Sequence, residues 1–171
     1  MHSGTALVDP KLVFEQIKLT EGMRVADFGC GRTGHLVFPS AQIVGEHGIV
    51  YAVDIVKNIL QSIQTMATDE GYENVKTIWS DIELAGKTPI PDNSLDAVFF
   101  INVLFQLKNA KDAVKEASRL LKKNGFLVII DWTKKLGPLG PDQDNIVTPQ
   151  IIDEWVSGLG VKQHYSDDMN E

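Results

Sequence analysis

The chain holds a single cysteine, Cys30, so no internal disulfide can form and a reducing, cytoplasmic setting is expected. It has no apolar run long enough to span a bilayer, and its opening residues "MHSGTALVDP" lack the apolar core of a signal peptide. Neither membrane insertion nor export is expected. Histidine is sparse as well. His2, His35, His47 and His164 stand apart from one another and from Cys30 without metal-ligand spacing, so no metal is expected. Positive charge is also short, with 16 Lys and Arg against 23 Asp and Glu, and the formal net charge of -7 gives no general attraction to phosphate backbones or anionic bilayers. Nucleic acid and membrane are therefore not expected partners. Repeats, low-complexity tracts and serine-rich linkers are missing too, which leaves residues 1–171 as a single domain whose length and 43% hydrophobic share suit one core.

What is present is an alternation of apolar runs and amphipathic segments. Asp9-Pro10 opens a helix through Leu12, Val13 and Ile17 that is expected to end near Glu21-Gly22. "MRVADFG" reads as a buried strand, and "LVFPSAQIVG" as a helix with Pro39 in an irregular first turn. "GIVYAVDI" and "VKTIWSD" read as strands on either side of a helix carrying Ile59, Ile63 and Met66. "LDAVFFINVLF" is a further buried strand, and Ala110, Ala113, Val114, Ala117, Leu120 and Leu121 mark one face of the next helix, with "KEASRLLKK" as its solvated side. "GFLVIIDW" starts a strand at Gly125, Thr148-Pro149 starts a helix through Trp155, and "VKQHYS" is a weak last strand. Strands alternating with helices in this way predict an α/β fold, doubly wound around a mostly parallel sheet.

In such a sheet ligands sit beyond the carboxyl ends of the strands. Five strand ends carry polar groups there: Gly29 to Gly34, Asp54, Asp81, Asn102, and Asp131-Trp132. Gly29-x-Gly31-x-x-Gly34 with Asp54 downstream also fits a dinucleotide fingerprint, so a nicotinamide-dependent oxidoreductase competes. Asp27 speaks against it, because a pyrophosphate needs helix N-terminal amides without a carboxylate alongside, whereas a ligand carrying an amine suits that position. Asp54 and Asp81, each taken alone, are equally readable as caps of following helices. Trp79, Trp132 and Trp155 read as core or rim packing.

The ordered set "VADFGCG", "VYAVDI", "WSDIE", "PDNSLDAVFF" and "EASRLLKKNGFLVIIDW" resembles the class I S-adenosylmethionine-dependent methyltransferases from about Leu12 to Trp155, most of all the small-molecule branch with quinone-biosynthesis-type enzymes. The resemblance implies S-adenosylmethionine as cofactor. It places Asp27, Gly29, Cys30 and Gly31 around the methionine portion, Asp54 on the ribose hydroxyls and Ile55 against the adenine. Asp81 and the Ile82 amide would meet the adenine edge, and the backbone near Asn102 the methionine ammonium. Cys30 would serve as a small filler of the loop. A proton acceptor, if the nucleophile needs one, is sought among His35, Asp131 and Tyr51, in that order. The acceptor is expected to be a small, apolar molecule seated between the first helix, Asn102 to Gln106, and the Trp132 to Val147 loop, where Phe105, Trp132, Leu136 and Leu139 lie. A subunit that binds the donor without catalysis is the other alternative.

Two departures from that family stand out. Gly34 comes one residue later than the third glycine of most relatives, which lengthens the loop. "VKQHYSDDMNE" supplies at most one strand, so the C-terminal hairpin that relatives use to complete the sheet reads as incomplete. The fifth strand is then expected either to pair in a homodimer or to carry a poorly paired tail.

Overall fold

The computed structural model describes residues 8–133 and 141–159. The weak strand expected at 161–166, and Leu136 and Leu139 of the loop after Trp132, lie outside the described residues.

Helix α1, Pro10–Ile17, begins where the Asp9 carboxylate accepts from the Lys11 amide at 2.9 Å and Pro10 takes the first helical position, whose N–H has no intrahelical partner in any case. It stops at Ile17, earlier than the sequence suggested, because Lys18 turns into the left-handed region at φ 52. Val13, Phe14 and Ile17 are buried, while Leu12 points outward at 48% exposure, since the burying stripe runs through positions 13, 14 and 17.

Strand β1, Arg24–Phe28, leads to helix α2, Val37–Val44, in which Pro39 is the third helical residue and so costs no internal hydrogen bond. Strand β2, Ile49–Asp54, helix α3, Lys57–Glu70, and strand β3, Val75–Trp79, follow. Beyond an irregular segment come strand β4, Leu95–Ile101, a 3-10 turn Leu104–Gln106 and helix α4, Ala110–Leu120. Strand β5, Leu121–Ile130, a second 3-10 turn, Gln143–Asn145, and helix α5, Pro149–Val156, complete the described elements. Helix α5 starts as the sequence predicts, with Thr148 accepting from the Ile151 amide at 3.4 Å and Pro149 at the first helical position.

The strands lie in the order β3-β2-β1-β4-β5, and every pairing is parallel. The chain winds outward from β1 through β2 to β3, then returns to the other side of β1 as β4. The direction of winding therefore reverses between β1 and β4. Alternation along β1 splits the core: Val25 joins Phe14, Val37, Ile63 and Phe99 on one face, while Ala26 and Phe28 join Val98, Phe100, Val114 and Leu120 on the other. Burying each of these phenylalanines is worth roughly 1.5 to 3 kcal/mol.

Two departures from the sequence reading concern α4 and β5. Leu121 belongs to β5 and not to the helix, and it pairs with Leu95 while Phe126 pairs with Ala97, so Lys122 to Gly125 bulge out of the ladder. The supposed solvated side of α4 contains Glu116, which is 1% exposed. Its carboxylate accepts from the Gly86 amide at 2.7 Å, the Thr88 amide at 2.9 Å and Arg119 Nη2 at 2.6 Å. Arg119 reaches on to the Thr88 carbonyl at 3.1 Å and pairs with Asp92. Burial alone would raise the Glu116 carboxyl, but the Arg119 and backbone hydrogen bonds outweigh it and hold the group down at about 2. This clamp ties the segment after β3 to α4.

Candidate active site

The first polar group on the rim is Asp27, next to last in β1. It is 4% exposed, and among the described residues no donor is bonded to its carboxylate. Burial, followed by the negative charge of Asp54, pushes its carboxyl up to about 7. A buried carboxylate without a partner is costly unless a cation or a donor comes to it.

The glycine loop is pinned to the neighbouring strand by Gly29 and Cys30, whose amides donate to the Val53 carbonyl at 2.8 and 3.2 Å. Its other glycines differ in purpose. Gly31 sits at φ 66 with its amide donating to Asp54 Oδ2 at 3.4 Å, and a Cβ there would meet only the Gly29 carbonyl oxygen, at 4.0 Å. Gly34 sits at φ 58, where a Cβ would come within 2.6 Å of the Phe38 ring and 2.9 Å of Ile63. Gly34 therefore serves the packing of α2 on α3, whereas Gly31 borders space a ligand can fill. The Cys30 thiol is buried, and burial with the charges of Asp27 and Asp54 raises it, so it stays neutral and fills volume.

Asp54, at the end of β2, is 9% exposed and accepts from the Val56 amide at 2.9 Å as well as from Gly31. It folds the turn before α3 but does not occupy the helix cap, which is Val56. Ile55 follows it at 54% exposure. The Ile55 carbonyl accepts from Trp79 Nε1 at 2.8 Å, and the Lys57 ammonium stands 5.5 Å from the Trp79 ring centroid, which makes Trp79 a rim residue. Asp81 Oδ1 accepts from the Glu83 amide at 3.0 Å in a turn that no helix follows, and Ile82 is buried beneath it. Asn102 adopts φ 56 at the end of β4, donates its amide to the Ile130 carbonyl at 2.8 Å, and receives Gln106 Nε2 on its own carbonyl at 2.6 Å.

The three suggested proton acceptors fare differently. Tyr51 stands mid-strand opposite Ala26, and its hydroxyl accepts from Arg24 Nη2 at 2.8 Å, at the start of β1 and away from the glycine loop. It leaves the site. Asp131 Oδ2 accepts from the Leu104 and Phe105 amides at 2.8 and 3.4 Å, and Oδ1 from the Trp132 amide at 2.8 Å. Burial raises the Asp131 carboxyl against the pull of those amides. His35 Nε2 donates to the Val8 carbonyl at 2.6 Å, which places a proton on that nitrogen, so in the neutral ring Nδ1 is the acceptor. Sequence reasoning missed Val103, whose side chain packs on Gly29 from beyond β4, and Glu83, whose carboxylate receives the Asn109 amide. Nothing in local pattern marks either one. Among the described residues, no three His, Cys, Asp or Glu side chains are grouped to hold a metal ion.

Glycine loop, paired carboxylates and the reversal of winding all meet at the ends of β1, β2 and β4, which defines a doubly wound α/β protein with its ligand site at the switch point. A family model described as a methyltransferase domain matches residues 19–156, and the chain belongs to that family. It is 32% identical over 143 residues to the ubiquinone/menaquinone biosynthesis C-methyltransferase UbiE of Hahella chejuensis, covering 81% of this chain and 55% of that protein. It is 30% identical over 133 residues to the aklanonic acid methyltransferase DauC of Streptomyces sp. (strain C5), covering 77% and 59%. A solved S-adenosylmethionine-dependent methyltransferase from Aquifex aeolicus superposes with a TM-score of 0.78 at 28% identity, covering 94% of this chain and 83% of that one. The chain thus spans little more than half the length of these two curated relatives. Nothing in these comparisons favours the oxidoreductase alternative.

The residues present fit the family's methyl donor. The unbonded Asp27 carboxylate can take a cation, Gly31 leaves room against the backbone, and Asp54 and Asp81 are acceptors beside an exposed Ile55.

Proposed function

We propose that this chain binds S-adenosylmethionine and directs its methyl group to a small, apolar acceptor. The observation that carries the reading is Asp27, a nearly buried carboxylate with no donor bonded to it, near the end of the strand that leads into the glycine loop. Asp27, Gly29, Cys30 and Gly31 would hold the methionine portion and Asp54 the ribose hydroxyls. Ile55 would lie on the adenine, Asp81 and the Ile82 amide at its edge, and the Asn102 backbone by the ammonium. The donor, when bound, supplies a methyl group on a sulfonium. The residues of the chain align an acceptor with that methyl group and shut out water, and orientation of this kind is worth up to about 7 to 11 kcal/mol. His35 takes a proton on Nδ1 where the acceptor must lose one, while Asp131, with three amides on its carboxylate, positions the segment after β4.

Nucleic acid is not a partner in this reading, given the net charge of -7, and the protein works in the cytoplasm. Two copies pair through the outer edge of β5, which no described strand covers.

Calorimetry tests the donor. S-Adenosylmethionine and S-adenosylhomocysteine are expected to bind and NAD is not, and NAD binding without either would overturn the proposal. Asp54→Ala removes a charged acceptor worth about 1.5 to 3 kcal/mol, so donor affinity should fall roughly ten-fold to a hundred-fold. A screen for labelled methyl transfer into metabolite pools separates an enzyme from a donor-binding subunit that does no chemistry.

A further inference from the structure

We propose that Glu83 is a positioning residue that makes the acceptor side of the site respond to the donor. The inference rests on the donor reading above. The turn that would meet the adenine is stitched from within, because Asp81 Oδ1 accepts from the Glu83 amide at 3.0 Å and the Asp81 carbonyl from the Leu84 amide at 3.2 Å. The Glu83 side chain then leaves this turn and accepts the amide of Asn109, the cap residue of α4.

Asn109 makes no cap bond with its own side chain, and Glu83 takes the amide of Asn109 itself, one of the unpaired first donors at the positive end of the helix dipole. The residues between β4 and α4 are thereby held at two points. Asp131 fixes the Leu104 and Phe105 amides, and Glu83 fixes Asn109. Phe105, on the side assigned to the acceptor, is the first of those anchors, and Gln106 lies between it and Asn109. A ligand that immobilises Asp81 and Ile82 restricts Glu83, and through it the start of α4 and the 102–109 segment. The coupling required is that holding the 81–84 turn keeps the Glu83–Asn109 bond formed for a larger share of the time, a difference between the bound and free protein.

Hydrogen exchange on the whole chain, with and without S-adenosylhomocysteine, tests this without knowing the acceptor. In the native protein the ligand is expected to slow exchange of amides 104–109 about tenfold, along with those of 81–84. Glu83→Ala should keep the slowing at 81–84 and lose it at 104–109. Glu83→Gln, whose amide oxygen still accepts from Asn109, should keep both. Melting temperatures of the free variants check that each is folded, and Glu83→Asp, whose carboxylate falls one methylene short of the Asn109 amide and should likewise lose the slowing at 104–109, carries the test if the Ala variant is not. If 104–109 respond to ligand equally in Glu83→Ala and the native protein, or respond in neither while 81–84 do, the inference fails and donor binding stands. If the ligand does not bind the native protein, the functional reading fails first.

Discussion

Asp27 has a consequence for pH. Its carboxyl is pushed up to about 7 in the fold against 3.8 in the unfolded chain, so between those values the native state holds a proton that the unfolded state has lost. Stability from this residue is full below 3.8, declines as pH rises, and is gone above about 7. A cationic ligand reverses the preference, because it pairs with the ionised form. Affinity for S-adenosylmethionine should therefore rise with pH up to about 7 and then level, with proton release on binding measurable by calorimetry in buffers of different ionisation enthalpy. Asp27→Asn should flatten both dependences, and an unchanged pH profile in that variant would remove Asp27 from the ligand. Asp27, Asp54 and the glycines could be read from the sequence because an apolar strand that ends in acids and glycines conflicts with plain core packing. Tyr51 could not be placed so easily. It follows the same strand pattern as its neighbours, and only the register opposite Ala26 and the bond to Arg24 take it away from the rim.

At the scale of elements, α4 depends on a pair that sequence pattern does not reveal. A helical wheel places Glu116 beside Lys115 and Arg119 as solvated charge, yet the segment after β3 folds over it and supplies the Gly86 and Thr88 amides from 30 and 28 residues away. Contacts at such separation leave no local signature, whereas the caps at Asp9 and Thr148, which bond two and three residues ahead, are legible at once. Glu116→Ala would leave those two amides unbonded and Arg119 without its main partner. It should destabilise the protein by about 2 to 4 kcal/mol in urea unfolding, below the full value for a deeply buried pair because Arg119 keeps some water. The native contribution of this group is present above 4.5 and fades as pH falls toward 2, opposite in sign to that of Asp27. Had Glu116→Ala no effect on the urea midpoint, the clamp would be incidental.

For the whole molecule, the parallel order of the sheet was legible from the alternation of strands and helices, and an uncovered outer edge was the expectation from the incomplete hairpin. Phe126 to Ile130 read simply as a strand, and its apolar run does not show that Phe126 is 45% exposed and the rest are half-buried. Because the Ile130 carbonyl accepts from Asn102 just after β4, alternation turns the Leu127 and Ile129 backbone groups to the other side, where no described strand pairs with them. A dimer through this edge should appear in light scattering and dissociate in Phe126→Glu without loss of helical signal, while a native monomer at all concentrations would remove it. The reversal of winding also sets an order of assembly. β1 meets β2 across 25 residues, from Asp27 to Ala52, but meets β4 across 72, from Asp27 to Phe99. Closing the longer loop costs more chain entropy before any contact repays it, so β2 and β3 have native partners earlier than the cleft does. The floor that would hold the donor is then among the last parts to form, and a newly made chain gains nothing from the ligand until its fold is nearly complete. Pulse-labelled exchange during refolding should protect β2 and β3 amides before the amides bonded between β1 and β4, at a rate indifferent to added S-adenosylhomocysteine.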